Sequence, residues 1–337
     1  MFADSFVTEV NLPADLTALG QGAFSGCRPL DELVLPDSLT TLGVNCFTNM
    51  GYLQIQLSEA LEVIPDSAFS STNLDVLVVP AGVRSIEAYA IYDAACVILE
   101  SPETVLAPNA IDCDVLYITD ADQFVFPEEM VFWVQTLHLD GVYDPAQIQG
   151  SLSAQGVERC VYLPMDATMD EAAAMDAYLG GIGFGEIAWI GTDRDFLPER
   201  TADYTVDGYL VTDFAGGAMI SIPDYVMLYD DPFWYTTMVG GAAEEAFAGC
   251  DATVAYIRSN MGDCRARFLA GCDKLTDLWF SGAIVDEISY GYFDAEAFAG
   301  IPDGVTVHIP EGLEGAEEAL HSCGLSDTAV FATYTLR

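Results

Sequence analysis

The sequence predicts an α/β solenoid: short parallel strands stacked one per coil, joined by turns and short helices and closed by helical end caps. Three observations carry the prediction. The chain repeats on itself every 22 or 23 residues. Each repeat holds a short stretch of alternating apolar residues that usually ends at a proline. Apolar residues make up 52% of a 337-residue chain whose formal charge is −43, a combination that demands a large buried interior under an acidic coat.

The repeat can be read position by position. Leu12-Pro13 recurs as Leu35-Pro36, with Leu57-Ser58 and Val79-Pro80 as later counterparts; Ala23-Phe24 recurs as Cys46-Phe47, Ala68-Phe69 and Ala90-Ile91. One unit runs Leu30-x-x-Leu33-x-Leu35-Pro36, then Leu39, Leu42 and Phe47. The frame returns as Leu74-x-x-Leu77-x-Val79-Pro80, then Val83, Ile86 and Ile91. The L-x-L pair puts two side chains on one face of a short strand. Proline ends the pairing because it has no N–H to donate. The later apolar positions turn the chain back beneath the strand, and the phenylalanine plugs the opposite wall. No unit can bury its apolar face alone, so the units must stack.

The run LxxLxLPxxLTxLGxxAFxGCxxL, at 12–30 and again at 30–53, resembles the BspA-type leucine-rich repeat family. Phe24-Ser25-Gly26-Cys27 is echoed by Phe247-Ala248-Gly249-Cys250 and Phe268-Leu269-Ala270-Gly271-Cys272, and in a degenerate form by Phe298-Ala299-Gly300-Ile301. Cys27, Cys250 and Cys272 therefore read as repeat-position core residues. The nine cysteines include no CxxC pair, which favours small buried hydrophobes over redox or metal chemistry.

The predicted domains are a first array over 1–190 and a second over 191–337. In the first, repeats are regular over 7–96 and irregular or shortened over 97–160, where Ala110-Ile111 and Phe132-Trp133 are candidates for the Ala-Phe position. A helical cap is expected over 161–190, because Met169 to Leu179 reads as a helix with Thr168 and Glu171 as a capping box and Gly180-Gly181 as its stop. The C-terminus repeats that layout: Val307-His308-Ile309-Pro310, then a helix at 313–320, then Cys323-Gly324. The join is expected near 191–201. It is followed by two strands about Asp207-Gly208 and by Ile220-Ser221-Ile222-Pro223 as the first repeat strand of the second array. Asp230-Asp231-Pro232-Phe233-Trp234-Tyr235 reads as an inserted loop.

Charge and motifs narrow the function. With 53 acidic and 10 basic residues, no basic stripe can neutralise nucleic-acid phosphates or an anionic membrane surface. No apolar stretch reaches spanning length, so no membrane insertion is expected. MFADSFVTEVNLP lacks a basic region, an apolar run and a cleavage site, so no signal or anchor is expected within the chain as given. Self-repulsion predicts a monomer. No GxSxG, HExxH or Walker-type loop occurs, and Gly180-Gly181-Ile182-Gly183-Phe184-Gly185 follows a helix rather than a strand, which fails the dinucleotide test. His138, His308 and His321 fall on separate elements; the first two read as surface residues of the sheet. Fifty-three carboxylates make any acid pair uninformative. Neither a catalytic residue nor a cofactor is assigned. Calcium is the ion to test, at Asp112-x-Asp114, Asp120-x-Asp122 or Asp193-x-Asp195, although none forms a complete ligand loop.

The resulting expectation is a non-catalytic binding protein that presents an extended sheet face to a protein or glycan. The candidate ligand-binding residues are Trp234 and Tyr235 in the inserted loop, and Trp279. As the middle residue of Leu278-Trp279-Phe280, Trp279 should point outward; packing against a neighbouring loop is the other reading. The family resemblance implies export from a bacterial cell and an adhesion-like role at the surface. The alternatives are a structural spacer within a larger surface protein and a solenoid-based hydrolase.

Overall fold

Each coil of the first array contributes one strand to a parallel sheet. The computed structural model describes residues 2–28, 30–127, 132–153, 157–162, 169–184, 187–188, 204–215, 219–221, 225–230, 233–257, 263–280, 293–312 and 315–334. Two compact units result: Met1–Trp189 with Tyr229–Thr236, and Ile190–Leu228 with Thr237–Arg337. The join expected near 191–201 lies outside the described residues.

In the first unit, eight strands lie in chain order: β1 (Glu32–Val34), β2 (Gly51–Gln56), β3 (Thr72–Val79), β4 (Ile91–Leu99), β5 (Ile111–Ile118), β6 (Phe132–Leu139), β7 (Val157–Tyr162) and β8 (Ile187–Ala188). All seven neighbouring pairs are parallel. The template leucines face inward: Leu33, Leu53, Leu74, Leu77, Val97, Leu116 and Leu137 are buried. The chain then turns into a second wall of two-residue strands, such as Val63–Ile64, Ser85–Ile86 and Val105–Leu106.

The Ala-Phe residues form a third wall. Here the amides of Phe24, Phe47 and Phe69 donate to the carbonyls of Cys46, Ala68 and Ala90, each at 2.8 Å. The rings of Phe2, Phe24, Phe47 and Phe69 stack at centroid separations of 5.2 to 5.6 Å. Each coil enters this wall through a left-handed residue, Gly22, Asn45, Ser67, Tyr89 and Asn109, with φ between 55° and 59°. Adjacent coils approach closely enough that a Cβ on Gly43 would lie 2.3 Å from the Gln21 amide nitrogen. Every repeat interval is thus held by backbone bonds on the walls and by apolar burial between them, roughly 1.5–3 kcal/mol per large side chain.

One repeat position has a polar duty inside this core. Cys27 Sγ donates to the Phe2 carbonyl at 2.8 Å and Cys272 Sγ to the Phe247 carbonyl at 3.2 Å, while Thr72 Oγ1 makes the same bond to Phe47. The thiol adds a second bond to the Phe2 and Phe247 carbonyls, which already accept from the amides of Ser5 and Cys250, and the Thr72 hydroxyl bonds the Phe47 carbonyl. Cysteine at this position is therefore a small core residue with one useful hydrogen.

The middle of the array combines shorter repeats with longer strands. Residues 97–160 were expected to hold irregular or shortened repeats; Val97 pairs with Leu116 and Leu116 with Leu137, 19 and 21 residues on, with a register shift at Asp112/Cys113, while β4, β5 and β6 lengthen to nine, eight and eight residues. The reason is local. Gly26, Asn49, Ser71 and Asp93 share one repeat position and all have positive φ, between 56° and 74°. In the early coils this position closes the Phe-x-Gly-Cys turn. In β4, Asp93 survives only as an irregularity within a strand. No left-handed residue interrupts β5, so the third wall runs straight into the sheet.

Among the described residues two α-helices occur, α1 (Met169–Gly181) and α2 (Ala316–Ser322). Neither is the last element of its sheet. α1 lies between β7 and β8, which pair through Val161–Ile187, so it is the return limb of a coil. Thr168 lies outside the described residues.

The second unit opens with β9 (Tyr204–Asp207) and β10 (Leu210–Phe214), antiparallel about the expected Asp207-Gly208 turn. β11 (Met219–Ser221) follows. β12 (Tyr225–Asp230) and β13 (Phe233–Met238), whose residues 229–236 group with the first unit, form a two-stranded sheet where an inserted loop was expected. β14 (Val254–Ile257), β15 (Asp277–Phe280), β16 (Thr306–Pro310) and β17 (Val330–Tyr334) complete a five-stranded parallel sheet with β11. α2 lies between β16 and β17, and the Phe298 amide donates to the carbonyl of Cys323, at its C-terminal end. The helix thus replaces the third-wall turn of its coil. Phe247, Phe268, Phe280 and Phe298 lead the core.

Candidate functional site

Side chains alternate along a strand, so residues flanking the inward leucines stand on the outer face of the sheet. At the starts of β2 to β6 this face carries Tyr52, Asn73, Tyr92, Asp112 and Trp133. Tyr52 is in register with Asn73. Asp112 is in register with Tyr92 on one side and Trp133 on the other. Tyr52, Tyr92 and Trp133 are 46%, 48% and 44% exposed. Asn73 is exposed and Asp112 half-buried. Adjacent strands lie about 4.8 Å apart, so Tyr92 and Trp133, two strands apart, hold their backbones about 10 Å apart with a carboxylate between them.

The row exists because the third-wall turn straightens into strand. Ile91-Tyr92-Asp93-Ala94 and Ile111-Asp112-Cys113-Asp114 occupy the place of Phe-x-Gly-Cys without its glycine. Once the segment is extended, the residue after each isoleucine faces outward. The surroundings are acidic: partial burial, then the charge of Asp75, pushes the Tyr52 phenol above its ordinary value, with Asp31 and Glu32 adding to it. Such a surface opposes anionic ligands. Exposed Tyr and Trp rings offer flat apolar faces with a polar rim, and a carboxylate accepts hydrogen bonds from hydroxyl donors.

Further along the same strands the outer face is closed. Ile98, Tyr117 and His138 are at most 3% exposed, and Tyr117 and His138 stack at 5.9 Å. His138, expected on the sheet surface, is fully buried.

The residues favoured from sequence fall elsewhere. Trp234 and Tyr235 lie in β13, where their side chains are outside the described residues. Trp279 stands at the middle of β15 as expected, but it is only 9% exposed. The His308 ring lies flat on it at 3.5 Å and 3°, and Tyr256 and Tyr334 pack at 6.2 and 5.4 Å. His308 Nε2 is 2.8 Å from Asp277 Oδ1, and the Tyr334 hydroxyl donates to the Phe280 carbonyl. Burial, then the charge of Asp277, pushes the Tyr256 phenol up to about 12. The exposed aromatic predicted at Trp279 is therefore corrected: the outward position is covered by stacked rings.

Among the described residues no three His, Cys, Asp or Glu side chains gather to hold a metal. Asp193 and Asp195 lie outside those residues, and the Asp122 carbonyl accepts a hydrogen bond from Gln149 in a turn. Among the described residues, no helix is long and apolar enough to cross a membrane.

The family of the BspA type leucine rich repeat region matches residues 1–107 in six copies. A leucine-rich repeat protein from Bacteroides ovatus aligns at 15% identity over 98% of this chain and 72% of its own, with a TM-score of 0.37. The pneumococcal vaccine antigen PcpA aligns at 17% identity over 95% of this chain and 72% of its own, with a TM-score of 0.26. A leucine rich cell surface protein from Faecalibacterium prausnitzii aligns at 16% identity over 80% and 52%, with a TM-score of 0.19. No curated protein matches the chain.

Proposed function

We propose that this chain, whose residues 1–107 form a BspA-type leucine-rich repeat region, is a non-catalytic binding protein that holds an uncharged glycan strand at a bacterial surface. One observation carries the reading: Tyr92, Asp112 and Trp133 stand side by side in register on an open sheet face. Two aromatic residues whose backbones lie about 10 Å apart suit alternate sugar rings of an extended polysaccharide, with Asp112 between them to accept a hydroxyl. Tyr52 and Asn73 continue the row. The acid balance favours neutral over sulfated or uronic sugars, and it leaves nucleic acids aside.

The test is a glycan array with the intact chain, followed by calorimetric titration of the best neutral oligosaccharide. Trp133→Ala and Tyr92→Ala should weaken capture while the melting temperature stays within a degree or two. Undiminished capture by both variants would overturn the reading, and absence of any glycan capture would leave the row to a protein ligand or to a spacer role.

A further inference from the structure

Consecutive coils of the second unit carry cysteine at the same repeat position. Cys250 closes the turn Phe247-Ala248-Gly249-Cys250 and Cys272 closes the turn 22 residues later. The two sulfur atoms lie 3.1 Å apart. The surrounding backbone is fixed: the Gly249 amide donates to the Gly271 carbonyl at 3.1 Å, and a Cβ on Gly271 would already touch the Gly249 nitrogen at 3.3 Å. Adjacent coils of a parallel stack sit about 4.8 Å apart, inside the roughly 4.4–6.8 Å Cα separation that a disulfide bridges. The equivalent positions elsewhere are Cys27, Met50 and Thr72 in the first unit and Ile301 after Cys272, so this is where the repeat places two thiols in succession.

We infer that Cys250 and Cys272 form a dithiol–disulfide redox site that staples two coils of the second array when it meets a small-molecule disulfide such as oxidised glutathione. The roles are set by access. Cys250 is half-buried and reachable, whereas Cys272 is fully buried behind it. Cys250 attacks as its thiolate: its S–S bond to one glutathione sulfur forms, the glutathione S–S bond breaks, and one glutathione leaves as thiolate. Cys272 then gives up its proton to solvent and attacks Cys250 Sγ. The mixed S–S bond breaks, the second glutathione leaves, and the protein disulfide closes. Two protein thiols are oxidised, one disulfide is reduced, and the two protons end on the released glutathiones. The Cys272 sulfur 3.1 Å away draws Cys250 below the ordinary thiol value against its partial burial, which favours its thiolate as the attacking group.

The experiment treats the intact, folded chain with oxidised glutathione, quenches with an alkylating agent, and reads intact mass and peptide maps. The wild type should lose two hydrogens, mapped to Cys250 and Cys272, and its melting temperature should rise by roughly 5–10 °C and fall back on reduction. C272T keeps a hydroxyl at a position where Thr72 already serves, so it should fold, stop at a stable glutathione adduct on Cys250, and show no rise in melting temperature. C250A should acquire no adduct in this turn. A wild type that halts at the mixed adduct, joins other cysteines, or reacts only after unfolding would overturn the proposal.

Discussion

Two outward-facing aromatic groups stand on parallel sheets of the same construction and meet opposite fates. In the first array, Tyr92 and Trp133 keep nearly half their surface in water. In the second, Trp279 lies under His308 with its ring face covered at 3.5 Å. Strand alternation decides which way a side chain points. Whether that direction ends in solvent depends on what the next strands supply at the same register. β15 has aromatic rings in register on both sides, Tyr256 and His308. Asp112, a short charged residue, separates the rings of the first array. Stacked neighbours turn an outward tryptophan into a packing residue; a carboxylate spacer leaves it open for a ligand.

The sharpest way to break this contrast is to truncate both tryptophans. Trp279→Ala should remove about 3–5 kcal/mol of stability, as large buried aromatics do, and lower the midpoint of chemical unfolding accordingly. Trp133→Ala should change stability by less than about 0.5 kcal/mol. Equal losses in denaturant titrations of the two variants would erase the distinction.

A second difference is one of pH. The Tyr256 phenol is pushed above its ordinary value of 10, to about 12, and burial pushes Tyr334 up as well. A phenol whose folded pKa is raised holds its proton longer in the native state than in the unfolded chain. Its contribution is therefore complete below pH 10 and lost as pH climbs from 10 to 12. For Tyr256 that amounts to about 2–3 kcal/mol. Melting temperature should fall across this window, and Tyr256→Phe should flatten the fall. An unchanged slope in that variant would show that the stacked cluster does not exclude water as described.

How much of this could be read from the chain depends on which interaction sets each feature. The repeat strands and the phenylalanine ladder were legible because Leu33, Phe24 and their counterparts recur at a fixed step, and stacking forces that step into the interior. The hairpin about Asp207-Gly208 was legible because turn chemistry is local. The exposed row was not, since its signal is a loss: the glycine of Phe-x-Gly-Cys vanishes at Ile91-Tyr92-Asp93-Ala94, and a degenerate repeat looks like disorder of the pattern rather than a longer strand. Read as a missing turn, that loss would have placed Tyr92 and Asp112 on the outer face. The burial of Trp279 and His138 was beyond reach, because cross-strand stacking depends on register between residues about 20 to 30 positions apart.

The row itself can be sharpened by affinity. A stacked aromatic contact is worth about 0.5–1.5 kcal/mol beyond area burial, so Trp133→Ala and Tyr92→Ala should each weaken glycan binding by roughly 2- to 13-fold, measured by calorimetry. Trp279→Ala, assayed under conditions where it stays folded, should bind as the wild type does. Loss of binding in that variant alone would move the site to the second array.

The smallest expected effect tests the ligand's charge. A surface of net charge −43 creates a strong long-range field at low salt, and the field is screened beyond about 10 Å at 0.1 M ionic strength. An uncharged glycan held by rings and hydroxyl contacts has no charge for that field to act on. Its affinity should change by less than about twofold as salt rises from low to well above physiological ionic strength. A basic peptide or a cation-bridged ligand at the same residues would instead lose affinity steadily, because its attraction to Asp31, Glu32, Asp75 and Asp112 is what the salt removes. A steep salt dependence at the Tyr92–Trp133 row would therefore replace the sugar with a cationic partner while leaving the row as the binding surface.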